Sequence, residues 1–182
     1  MVSHLIWPWW VRLSHWLVAS GVFALWVLAY WYYETDALHR WLGYAIWMVM
    51  ILRVLAAGCT KTPAASLAMP SQQHIIQHLK QLTTLKLQPV DGHNPLGQLA
   101  IYLIWSIISL LMLTGWLSQT DRFWGEDWPI DLHAWLSGLL MGVVILHVIG
   151  VFVVGRISRQ HLILQMLHGK RHWYKTSPND MP

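Results

Sequence analysis

DLHAWLSGLLMGVVILHVIG, residues 131–150, is an apolar run that opens on Asp131 and carries two histidines, His133 and His147. As a helix, twenty residues rise about 30 Å, the thickness of a bilayer's hydrocarbon core. The histidines lie fourteen residues apart, two heptads, so they project from nearly one side of that helix. Their separation along its axis is about 21 Å. Ionisable side chains at such depths are costly and are functional candidates by default. Leu140 and Val144 point the same way and would lie between them. Gly138 and Gly142 point roughly opposite, a GxxxG pair suited to packing against a neighbouring helix or a second protomer.

The rest of the chain repeats the pattern. Of 182 residues, 55% are hydrophobic and 11% charged, against about 25% charged in an ordinary soluble domain. A soluble core of this size cannot hide that surplus, so lipid is the expected solvent. Four spans are expected, at about 13–33, 38–58, 96–119 and 132–155, within a single domain of residues 1–182. The fold class is therefore all-α, an integral membrane four-helix bundle. Arg40 and Arg53, near the ends of the second span, are expected to snorkel to the headgroups. The N-terminal MVSHLIWPWWVR runs into the first span without a small-residue cleavage site, so no removable leader is expected.

Charge sorts by loop. Arg12, Arg53, Lys61, Lys80, Lys86, Arg156, Arg159, Lys170, Arg171 and Lys175 fall at the N-terminus, the long middle loop and the tail. Only Arg40 and Arg122 fall on the other side, beside Glu34, Asp36, Asp121, Glu126, Asp127 and Asp131. The positive-inside rule then puts both termini in the cytoplasm and the two short acidic connections outside. Sorted in this way, the net charge of +4 gives no reason to expect nucleic-acid binding. In the middle loop, broken by Pro63, Pro70 and Pro89, the positions Ile75, Ile76, Leu79 and Leu82 repeat at helical spacing. They predict an amphipathic helix on the cytoplasmic surface, and the tail ISRQHLILQMLHGKR predicts another that stops at Gly169. Trp7, Trp9, Trp10, Trp31, Trp124 and Trp128 are placed for an interfacial aromatic belt.

Depth pairs the histidines. His39 follows Asp36 by three residues and His133 follows Asp131 by two, so both are near the outer face. His15 precedes Glu34 by 19 residues and His147 follows Asp131 by 16, depths of about 28 and 24 Å. His39 with His133 makes an outer pair, and His15 with His147 an inner one, each joining two helices. One turn beyond three of them the residue is small, Ala19, Gly43 and Ser137, with Gly150 near His147, which leaves room for a porphyrin. Two haems b, each held non-covalently by two histidines, suit this pattern and favour electron transfer over oxygen chemistry. The lone Cys59 excludes a CxxCH attachment. A catalytic zinc site wants three converging ligands, often with a carboxylate, and no span contains an acidic residue.

The stretches WVRLSHWLVASG, LHRWLGYAIWMVMILRV, DGHNPLGQLAIYLIW, DLHAWLSGLLMGVVILHVIGV and LILQMLHGKR resemble, in order, the bacterial cytochrome b561 family, which includes the cytochrome b subunits of nickel–iron hydrogenases. That resemblance implies a quinone as one electron partner, and as the other a periplasmic redox protein such as a c-type cytochrome. It also places the chain in the bacterial inner membrane. Arg12 and Arg53 match family arginines and become candidates to meet haem propionates, quinone oxygens or lipid phosphates. His93, in GHNPLG, is a candidate for a propionate or quinone contact, or for a cap on the third helix shared with Asn94. His74 and His78 are expected to be ordinary solvated side chains. Three rival functions stay open: a quinone-linked oxidoreductase acting alone on a small molecule such as superoxide, a metal-ion transporter, and a non-redox anchor. Transporters break their helices at a midplane site, whereas these spans lack interior prolines. An anchor leaves the histidine pairing unexplained.

Overall fold

Backbone groups inside a bilayer must be bonded within their own segment, and each of the four apolar stretches forms one continuous helix. The computed structural model describes residues 2–31, 36–60, 62, 65, 67–87 and 92–173. Helix α1 covers Trp9–Trp31 and α2 covers Asp36–Gly58, while α3, the loop helix, covers Gln72–Thr83. Then come α4 at Pro95–Leu117, α5 at Trp128–Ile157 and the short α6 at Leu162–His168. All but α3 and α6 are long and apolar enough to cross a membrane. Boundaries differ from expectation by a turn or less, for local reasons. Pro95 and Pro129 sit in the first turns of α4 and α5, where a missing N–H costs nothing.

Helices α1 and α2 pack along each other, as do α4 and α5, and α2 meets α4 across the bundle. The α1–α2 approach depends on Gly21, where a Cβ would stand 2.5 Å from Ile46 Cδ1. The central core joins Met50 of α2, Ile107 and Ile108 of α4, and Leu136 and Leu140 of α5, with Val144 packed against it. This apolar layer lies between the two levels of histidine.

Both ends of the described chain, β1 and β2, lie at one end of the bundle, together with α3 and α6. We call it the basic end, after Arg12, Arg53, Lys80, Arg156 and Arg159; the opposite end carries Asp36, Asp121, Glu126, Asp127 and Asp131 and is the acidic end. At the basic end a small antiparallel ladder, unforeseen in the sequence, pairs β1 (Val2–Leu5) with β2 (Lys170–Trp173). Gly169 makes the junction possible. It caps α6 at φ 77°, its carbonyl accepts from the Ile6 and Trp7 amides, and a Cβ there would stand 2.8 Å from the Trp7 carbonyl oxygen.

Several expectations need correcting. Trp7 is buried with Ile6, Val11 and Ala65, and Trp10 packs against them, so these two are core and not belt. Trp9, Trp31, Trp124 and Trp128 are exposed as a belt requires. Arg53 does not snorkel: it is buried, donating to the Ala65 carbonyl at 3.2 Å, with its guanidinium 4.7 Å from the Trp10 ring centre. Gly138 and Gly142 face outward with no described atom near, so no helix of this chain covers them. Glu34, Lys61, Pro63, Pro89 and Lys175 lie outside the described residues.

Candidate functional site

The acidic-end pair comes from the N-terminal first turn of α2 and second turn of α5. His39 and His133 face each other with ring centres 6.2 Å apart and planes inclined at 63°. Metal–imidazole bonds run about 2.0–2.1 Å, so two rings on opposite sides of one ion have centres roughly 6 Å apart. The observed spacing suits one shared ion. Around the two rings lies a cleft of about 110 Å³, open on one side to the surroundings. Its walls are mainly apolar, including Val22, Leu25, Ile108, Leu111 and Leu140, and Gly43 and Ser137 line it too. Mainly apolar walls with a few placed polar groups are the usual lining of a cofactor site. Beside Gly43 there is open space where a Cβ would stand, so the small residue leaves room for a planar ring.

The rings are also backed by neighbouring helices. The Leu25 carbonyl of α1 lies close to His39. His133 Nδ1 lies 3.0 Å from Thr114 Oγ1 of α4. Arg40, next to His39, lines the cleft and donates to Gln119 Oε1 at 2.6 Å. Thr114 and Arg40 were both missed as site residues. The adjacency of Arg40 to His39 was a usable signal; a threonine in a long apolar helix gives none.

The basic-end pair comes from α1 and α5. His15 and His147 interact electrostatically with each other, and both act on His93, as does Arg53. Four expected site residues therefore lie near one another at the basic end. His15 Nδ1 and His93 Nδ1 are buried without a hydrogen-bond partner among the described residues, which marks this cluster as built for a further polar group. Ala19, in contrast, is exposed and lines nothing here. His93 sits just ahead of α4, its ring edge-on to Trp7 at 4.8 Å. Burial first, then the charges of Arg53, His15 and His147, lower its pKa to about 4, so it is neutral near pH 7. Capping α4 falls to Asn94, whose side chain accepts from the Gly97 amide at 2.7 Å. Arg12 is turned toward the tail, donating to the Leu167 carbonyl at 2.7 Å.

His78 overturns the expectation of a solvated side chain. It is buried on the inner face of α3, beside a small cavity lined by Asn94, Ser158 and Gln160. His74 on the same helix is exposed. Among the described residues no three His, Cys, Asp or Glu side chains converge as a bare metal ion would need. At the acidic end the facing imidazoles and the apolar cleft between them fit a flat, iron-centred ring.

Comparisons with known proteins point the same way. The family model for prokaryotic cytochrome b561 matches residues 6–169. A protein of Azotobacter chroococcum mcd 1, named "Probable Ni/Fe-hydrogenase B-type cytochrome subunit", is 32% identical across 48% of this chain and 44% of its own. The match thus spans less than half of that relative's length. No solved structure matches. With four membrane-crossing helices and nearly the whole chain matched, this protein belongs to the prokaryotic cytochrome b561 family, membrane b-type cytochromes of electron transfer.

Proposed function

We propose that this chain carries electrons through the bacterial inner membrane between the quinone pool and a periplasmic redox protein. The observation that carries it is the stacking of two interhelical histidine pairs at opposite ends of α5, with an apolar core between them. His39 with His133, and His15 with His147, would each hold a haem b, which would supply one-electron exchange rather than oxygen chemistry. His39 and His133 are the ligands at the acidic end, His15 and His147 at the basic end. Arg40 is the cation placed to meet a propionate in the acidic-end cleft. At the basic end Arg53 has five N–H donors, of which the Ala65 bond takes one, and it is the better placed of the two family arginines. Neutral His93 is able to donate to a quinone carbonyl or a propionate. Lys and Arg excess puts the basic end in the cytoplasm and the acidic end in the periplasm.

Haem content of the purified protein and its histidine variants tests this. The unaltered protein should show low-spin b-type bands and two haems per chain. His39→Ala and His133→Ala should each lower the content to about one, and together no further. His15→Ala and His147→Ala should remove the other haem. A colourless preparation overturns the function, and a haem shared between His15 and His133 overturns the pairing.

A further inference from the structure

We infer that Thr114 is a positioning residue for the acidic-end haem: it fixes the tautomer of His133 and lowers that haem's potential relative to a site lacking its hydroxyl. This rests on the dihaem function proposed above. Thr114 is buried in α4, 3% exposed, within an otherwise apolar stretch. Its hydroxyl has two main-chain acceptors one turn back, Leu110 O at 2.9 Å and Leu111 O at 3.1 Å. A hydroxyl has one proton, and with that proton on a carbonyl its oxygen faces His133 Nδ1 as an acceptor. The Leu111 carbonyl, which can only accept, also lies close to His133. With Thr114 Oγ1 as the acceptor the proton sits on Nδ1, which leaves the Nε2 lone pair to face the iron. Next to Thr114, Gly115 brings the α4 backbone against the same ring, 3.2 Å from Cε1 to where a Cβ would be. Two adjacent residues thus set the rotation of the ring and which of its nitrogens binds. The basic-end ligand His15 differs, since its Nδ1 has no partner among the described residues.

An acceptor behind a ligating imidazole makes it a stronger donor, and a stronger donor favours ferric iron. Thr114→Val keeps the shape and removes the hydroxyl; Thr114→Ser keeps the hydroxyl. Redox titration of the purified holoprotein, followed optically and by the low-spin EPR signals, reads the effect. The acidic-end couple is identified as the one missing from His39→Ala. In Thr114→Val that couple should move toward ferrous by up to about tenfold, equal to 59 mV for one electron. Its EPR g values should shift while the basic-end couple stays, and Thr114→Ser should restore both. If Thr114→Val fails to accumulate, Thr114→Ala carries the same test. Two haems with an unmoved acidic-end couple in the hydroxyl-free variant overturn the role of Thr114 and leave the dihaem function intact. Fewer than two haems in the unaltered protein overturn the dihaem function instead.

Discussion

Gly115 leaves the His133 ring its only space on the α4 side: a Cβ there would lie 3.2 Å from Cε1 and 3.4 Å from Nδ1. Two further methyls at that position cannot be absorbed by a ring already clasped by Thr114. Gly115→Val should therefore lose the acidic-end haem and keep the other, so that haem per chain falls to about one. Gly138→Val, with open space beside it, should keep both; equal haem loss in the two variants would mean that helix propensity and not the ring contact decides. His93 gives the converse case. Its imidazole is buried near the basic-end pair, yet it is placed by the loop before α4 and not by a span. His93→Ala should retain both haems and slow reaction with quinol several-fold; loss of the basic-end haem would show His93 to be an axial ligand. The four span histidines were legible because depth follows from counting residues. Thr114, Gly115 and Arg40 were not, because a helix's rotation against its neighbour decides which side chains touch a ring.

At the level of elements, α3 shows where sequence periodicity stops. The pattern Ile75, Ile76, Leu79, Leu82 correctly marked a helix, and Ser71 caps it by accepting from the His74 amide. Yet Ile76 and Leu79 remain exposed, and His78 is the buried residue of the inner face, flanked there by half-buried Ile75 and Leu82. Burial lowers the His78 pKa from its ordinary 6.5. The described residues that line the cavity beside it are neutral, Asn94, Ser158 and Gln160 among them, so none of these stabilises a charged imidazole by charge. Docked α3 holds the neutral form, whereas an undocked His78 titrates at its ordinary pKa. Docking is then fully stable above pH 6.5 and weakens as pH falls below it toward the lowered value. Hydrogen exchange in α3, corrected for intrinsic rate, should show less protection at about pH 5.5 than at about pH 7.5. His78→Leu should abolish the difference; unchanged protection in the unaltered chain would sink the idea. Long helices such as α4 and α5 were readable to within a turn because lipid solvation writes itself along twenty residues. The β1–β2 ladder was not, since it joins two short polar segments at opposite ends of the chain through Gly169.

Across the whole molecule the two ends differ in charge, and on the proposed function that polarity would guide a partner to an acidic-end haem. Asp36, Asp121, Glu126, Asp127 and Asp131 are all exposed at this end. The two cations among them are engaged close by: Arg40 bonds Gln119, and the Arg122 guanidinium lies 5.8 Å from the Phe123 ring centre. A basic redox protein approaching from the periplasm would meet this field directly above the cleft that holds His39 and His133. Opposite charge speeds encounter and orients the partner, and ions screen it over about 8–10 Å at ordinary ionic strength. Positive-inside topology alone would also leave the outer loops acidic, so the test must separate docking from topology. Asp121, Glu126 and Asp127 are the residues to neutralise together, as Asn, Gln and Asn. Asp127 precedes α5 but makes no side-chain cap bond, so its replacement uncaps nothing. Asp131 should be left alone, because it sits in the first turn of α5 and favours the positive end of the helix dipole. Electron transfer to a basic c-type cytochrome should slow as salt rises. The triple variant should be slower at low salt and nearly insensitive to salt, with haem content and spectra unchanged. A second-order rate that ignores both salt and the replacements would leave the acidic loops as a record of membrane insertion alone.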